Sequence, residues 1–302
     1  MKDVPLPQRA ESSVGRTAAL TAAALVSFSL NSLLCRAALG ARLIDAITFT
    51  SIRLISGAMV LTMLARRASK PTKATGASPT SALPSFGHRA TSALILFLYA
   101  LPFSLAYLRI SAGTGAFVLF GCVQITMIGS SLLAGRRLGL REGLGLVLAL
   151  GGLAWLTRPG TESPSVIGVA LMALAGFAWG LYSIRGRKAG PPLQANARNF
   201  SATVPMTLIA SFVAMASFQI SAKGALLALA SGAVTSGLGY VAWYAALPSL
   251  SVTRASILQL AVPPMASAMG VVILGEALSL RLMVAAPLIL GGIALAVMPP
   301  KR

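Results

Sequence analysis

Ser27 and Asn31 stand four residues apart in one apolar run, and Tyr99 and Phe103 do so in another, so each pair shares a face if its run is helical. Pro102, between Tyr99 and Phe103, marks a kink. Trp179, Tyr182 and Ser183 form one face of a third run, and Tyr240, Trp243 and Tyr244 form one face of a fourth. Gln124 and Gln259 each place a single amide inside an apolar stretch. These groups stack and hydrogen-bond, which suits them to holding a small solute; they do not supply a nucleophile and base. The single histidine, His88, lies in a polar stretch, and Asp3, Glu11, Asp45, Glu142, Glu162 and Glu276 all lie in tails, loops or the ends of apolar runs. Catalytic residues, a metal site and a cofactor site are therefore all expected to be absent, with no phosphate-cradling glycine loop and no membrane-embedded carboxylate. Cys35 and Cys122 sit in apolar stretches as small hydrophobes rather than a disulfide framework.

Each assignment competes with a packing role. Trp155 and Tyr107 read as interfacial belt residues, and Trp243 and Tyr244 fit the belt as well as they fit a binding face. Ser and Gln can simply bond between helices. Arg53 is the one basic residue well inside an apolar run, where it must reach an interface or pair with a neighbour.

The elements that position these groups follow from composition. The chain has 302 residues, of which 56% are hydrophobic and 10% charged, whereas soluble domains carry about 25% charged residues. A membrane-spanning helix needs roughly 20 apolar residues. Ten runs qualify, at 17–39, 46–65, 90–108, 112–134, 142–157, 165–185, 196–217, 224–246, 251–274 and 280–298. The expected fold is an all-α polytopic membrane protein surrounded by lipid. Residues 66–89, rich in Pro, Ser, Thr and basic side chains, form the one long polar linker.

The net charge of +19 is ascribed to membrane orientation, since no nucleic-acid module accompanies it. With the N-terminus inside, inner segments hold 18 Lys and Arg and outer ends hold six, Arg53 being the remainder of the 25. Both termini are expected to be cytoplasmic. The first sixteen residues lack a signal peptide's apolar core and read as a cytoplasmic tail.

Residues 135–159 align with 275–299 at an offset of 140, with ten of 25 positions identical, including Gly135/Gly275, Leu148/Leu288, Gly151/Gly291, Gly152/Gly292 and Pro159/Pro299. Five helices per copy is an odd number of crossings, so the second copy inserts inverted. Arg136-Arg137 then lies in a cytoplasmic turn and its counterpart Glu276 in an outward one. The expected division is a 1–16 tail, a first five-helix repeat at 17–159 and a second at 160–302. Inverted repeats place a solute site near the bilayer midplane and work by rocking one half against the other. The pair Pro263-Pro264 is the expected hinge, because proline removes backbone bonds. The alternative is a fixed kink kept for packing.

Val252 to Val297, VTRASILQLAVPPMASAMGVVILGEALSLRLMVAAPLILGGIALAV, resembles the second half of EamA-type members of the drug/metabolite transporter superfamily in its Pro263-Pro264 step, its Gly-Glu turn and its Gly291-Gly292 pair. GFAWGLYSIRGRKAG, from Gly176, resembles that family's Trp-Gly signature. The first half departs from the pattern: Leu30-Asn31 stands where Trp179-Gly180 does, Gln124 where Pro264 does, and Arg136 where the Glu does.

The length, the basic linker and Asn31 are most similar to the aromatic amino acid exporters of the superfamily. The resemblance implies a bacterial-type inner (plasma) membrane protein exporting small metabolites through a cavity lined by helices one, three, four, six, eight and nine. The expected solute is an aromatic or other neutral amino acid moved by facilitated alternating access, with its charged ends met by Asn31, Gln124 and Gln259. Export of drugs, cations or nucleotide sugars, and a non-transporting membrane role, are the alternatives.

Overall fold

In a hydrocarbon environment every backbone polar group must be bonded within its own segment, so apolar runs of this length become helices. The computed structural model of the protein describes residues 9–68, 86–133, 135, 139–157, 164–186, 191–250 and 258–297. The start of the tail, most of the basic linker and the Arg136-Arg137 turn lie outside the described residues.

Helices α1 (Arg9–Gly40), α2 (Ala46–Ala68), α3 (Phe86–Tyr107), α4 (Ala112–Leu133) and α5 (Leu140–Thr157) are followed by α6 (Val166–Gly186) and α7 (Pro192–Val213). Next come α8 (Ala222–Ala246), α9 (Val262–Leu274) and α10 (Leu280–Val297). Among the described residues, six of these are long and apolar enough to cross a membrane: α1, α2, α3, α4, α6 and α8. The expectation of ten such runs is met in part. Helix α7 carries Gln194, Asn196, Arg198 and Asn199 near its start, and α9 is only 13 residues long. The chain is thus an all-helical, multi-pass membrane protein.

The most extensive contacts run α5 along α10, α1 against α8, α2 against α7 and α8, and α6 against α3 and α4, while α9 packs on α1 and α4. Between α5 and α10 the contacts are reciprocal. A Cβ on Gly152 would lie 2.8 Å from Ile289 Cγ1 and 3.0 Å from Leu288 Cβ, and one on Gly292 would lie 2.6 Å from Ala149 N and 2.9 Å from Leu148 Cβ. Close approach therefore requires glycine at both places. Gly151 and Gly291, which also read as packing glycines, have nothing within 4 Å of a Cβ. They lie one residue, about 100°, around the helix from the contact face.

Helix α8 changes pitch midway. Ala222–Leu229 and Gly239–Ala246 are α-helical, while Ala230–Leu238 is a π-helix. Gly232 lies directly against Ser56 Oγ and the Arg53 carbonyl, and Gly239 against Ser27, so α8 seats on α2 and α1 through its glycines. A π segment is rare and recurs at functional sites.

One end of the bundle is tied together. Asp45 N donates to the Gln219 carbonyl (2.9 Å), Ser221 N donates to the Leu43 carbonyl (2.8 Å), and Gln219 N donates to Asp45 Oδ2 (3.1 Å). These bonds join the α1–α2 connection to the α7–α8 connection.

Candidate functional site

The third turn of α2 points Arg53 into the bundle, where it is 2% exposed. Its Nε donates to Ser236 Oγ at 3.2 Å and its Nη2 to Tyr99 Oη at 3.0 Å. The guanidinium carbon lies 4.9 Å from the Phe103 ring centre and 5.3 Å from that of Tyr99, within the range where a cation is attracted to a ring face. Nη1 is buried without a hydrogen-bond partner.

Opposite it, Asn31 of α1 meets the π segment of α8. Ser231 Oγ donates to Asn31 Oδ1 at 2.7 Å. Thr235 Oγ1 lies 3.2 Å from the same oxygen and 2.7 Å from the Ser231 carbonyl, and its one proton serves one of them at a time. The wider π turn brings Ser231, Thr235 and Ser236 to bear on α1 and α2 together.

These groups surround a small central cavity. Its wall is Phe28, Asn31 and Ser32 of α1, Arg53 of α2, Tyr99 and Phe103 of α3, Leu119 and Phe120 of α4, Trp179 of α6, and Thr235, Ser236 and Tyr240 of α8. The volume is about 20 Å³, room for roughly one water. An aromatic stack closes it. Trp179 stacks on Tyr240 with ring centres 5.3 Å apart and planes 29° apart, stacks on Tyr182 at 5.7 Å, and is tilted against Tyr99 at 4.9 Å.

Tyr240 also lines a second chamber of about 220 Å³, with Asn196 and Tyr244 on its wall. Gln194 is common to that chamber and to an open groove of about 910 Å³ that carries Arg66, Arg89 and Arg198. The second chamber thus shares a wall residue with the closed centre on one side and with a basic groove between α2, α3 and α7 on the other.

Of the residues read from the sequence, Asn31, Tyr99, Phe103, Trp179 and Tyr240 share the central wall, and Tyr244 lines the second chamber. Tyr182 backs Trp179, donating to Asn196 Oδ1 (2.7 Å) and accepting from Asn199 Nδ2 (3.0 Å). Ser27 and Ser183 bond the carbonyls of Ala23 and Trp179 on their own helices, at 2.8 Å each. Gln124 is buried in α4 and Gln259 half-buried before α9, both away from the wall. Trp243 packs with Ala24 and Phe28 in a separate cluster.

Pro263 and Pro264 fall at the start of α9 rather than inside it. The helix breaks at Leu260 and Ala261, just ahead of two residues that have no N–H to return to the preceding turn. The wall also includes α2, and no described residue of α9 lines it. Arg53, Phe28, Ser32, Thr235 and Ser236 went unassigned in the sequence. For Arg53 the signal was present, as a lone charge deep in an apolar run. The small hydroxyls of α8 carry no such mark, because their placement depends on the π turn. Among the described residues, no group of three or more His, Cys, Asp or Glu could hold a metal ion.

A model of the EamA-like transporter family matches residues 166–298. An uncharacterized protein of Pseudomonas aeruginosa is 44% identical over 284 residues, covering 94% of this chain and 95% of its own length. An uncharacterized transporter of Archaeoglobus fulgidus is 24% identical over 205 residues, covering 66% of this chain and 73% of its own length. A crystal structure of another protein superposes with a TM-score of 0.64 at 20% identity, over 92% of this chain and 98% of that one, a likeness of fold.

Proposed function

We propose, on the match of residues 166–298 to the EamA-like transporter family, that the chain exports small metabolites, foremost aromatic or other neutral amino acids, by facilitated alternating access. The observation that carries this reading is the closed central cavity. Its wall joins α1 to α4 with α6 and α8, so movement of one set against the other opens it. Stacked aromatic rings and neutral hydroxyls suit a flat apolar body with a polar head.

We read the ten helices as two inverted repeats, 17–159 and 160–302, behind a 1–16 tail. The reciprocal glycine contacts of α5 and α10 support this, since Gly152 on Leu288 and Ile289 mirrors Gly292 on Leu148 and Ala149 at the sequence offset of 140. The charge distribution supports cytoplasmic termini in an inner membrane. The break before Pro263-Pro264 is the proposed hinge. Ser27, Gln124, Ser183, Trp243 and Gln259 stand behind the wall and support it through packing.

The test is counterflow in proteoliposomes of purified protein. Vesicles preloaded with unlabelled L-phenylalanine should take up labelled L-phenylalanine, and competition by the twenty amino acids should rank the aromatic ones first. No counterflow with any amino acid would overturn the amino-acid assignment. A reporter fused after Arg302 that is active only outside the cytoplasm would overturn the orientation.

A further inference from the structure

We propose that Arg53 binds an anionic head, a carboxylate, on the solute this protein carries. The inference rests on the transport reading for the route by which a solute enters, while its chemistry comes from the surroundings of Arg53. A guanidinium has five N–H donors and no acceptor. Nε and Nη2 reach the neutral oxygens of Ser236 and Tyr99, while Nη1 is buried with no partner. The rings of Phe103 and Tyr99 attract the cation without neutralising it.

Among the described residues, none offers this charge a counter-ion. Of its six acidic residues, Asp45 caps α2 by accepting from Ile47 N and Thr48 N, Glu276 is held by Arg36, and Glu142 accepts from Gly139 N. Among the described residues, no carboxylate lies within ion-pair distance of Arg53. Asp3 and Glu162 lie outside the described residues, and Glu11 stands near the start of α1, over forty positions before Arg53. A cation inside the membrane is expensive unless paired. A carboxylate arriving on the solute supplies the pair, because its two oxygens match the guanidinium donors.

The approach has the same sign. The groove that shares Gln194 with the second chamber carries Arg66, Arg89 and Arg198, which raise the local concentration of anions. The cavity is too small for a solute as it stands, so binding must part the Trp179–Tyr240 stack. The rings then flank the body of the solute while Arg53 takes its head. This replaces the expectation that neutral amides meet both charged ends: Asn31 Oδ1 is already engaged by Ser231, and the two glutamines are off the wall. A cationic solute would meet a like charge at the centre.

The experiment uses the full chain in detergent and in proteoliposomes. Thermal stabilisation is titrated with L-phenylalanine, phenylacetate and benzoate, each against its uncharged amide or, for the amino acid, phenylalaninamide. The acids are expected to bind about 10- to 100-fold more tightly than the amides. Arg53→Gln should erase that ratio, and Arg53→Lys should retain part of it. Equal binding of acids and amides by the unmodified protein, a comparison that needs no variant to fold, would overturn the proposal. So would an unchanged ratio in Arg53→Gln, stabilisation by chloride equal to that by the acids, or binding of none of them.

Flux separates the two readings. Charge-selective binding that depends on Arg53, without counterflow, leaves the inference standing and removes transport. Counterflow that is indifferent to Arg53→Gln does the reverse.

Discussion

Arg36 Nε lies 2.9 Å from Glu276 Oε1, joining the last turns of α1 to the turn between α9 and α10. The pair is anchored on both sides: Arg36 Nη1 donates to the Tyr107 carbonyl at 2.9 Å, and Glu276 Oε2 accepts from Ala112 N at 2.8 Å. Gly275, at φ 66°, makes the turn that lets Glu276 N reach the Gly270 carbonyl at 3.1 Å. Four chain segments thus meet at one end of the bundle around a single carboxylate.

Glu276→Gln should loosen that end. The side chains are 25% and 14% exposed, so the loss is that of a partly screened charged hydrogen bond, about 1 to 2 kcal/mol. A lower thermal midpoint and faster maleimide labelling of Cys35, which is fully buried one residue from Arg36, are the expected readouts. Unchanged labelling would mean that the pair does not hold the end shut.

Trp179→Ala removes the ring that closes the centre against Tyr240, Tyr182 and Tyr99. Truncating a buried tryptophan costs about 3 to 5 kcal/mol, and the protein should still insert. Counterflow should fall at least about tenfold, while Trp179→Phe, which keeps a ring, should recover part of it. Full flux in Trp179→Ala at normal abundance would make Trp179 a packing residue only.

Gly152→Val and Gly292→Val should each destabilise the α5–α10 contact by about 1 to 3 kcal/mol through overpacking. Gly151→Ala, beside open space, should be neutral or slightly stabilising, because alanine is the better helix former. Thermal midpoints in detergent give the comparison, and equal losses at Gly151 and Gly152 would contradict the packing described.

Transport should run downhill only. Neither Asp nor Glu lines the central cavity, and the single His, at position 88, is distant in sequence from every wall residue on α1, α2, α4, α6 and α8. Among the described residues, no carboxylate stands on the wall to carry a proton with the solute. Uptake into proteoliposomes should therefore reach equilibrium and stop, with or without an imposed pH gradient. Accumulation that requires the gradient would reveal a proton site elsewhere.

Much of this protein is legible in its sequence. Hydrocarbon solvation alone dictates helices wherever about 20 apolar residues run together, and the Tyr99–Phe103 spacing puts both rings on one wall because four residues slightly exceed one helical turn. The glycines at 152 and 292 announced close packing, although only contact separated them from Gly151 and Gly291. Other features depend on neighbours distant in the chain. That Arg53 is held by Ser236 and Tyr99, that Gln124 is off the wall, and that α8 widens to bring Ser231 and Thr235 onto Asn31 are all consequences of which helix faces which. Local sequence sets how a segment folds under a given solvent, and the side-chain pairing at the centre is set by contacts between segments 46 to 204 residues apart, which only the packed bundle brings together.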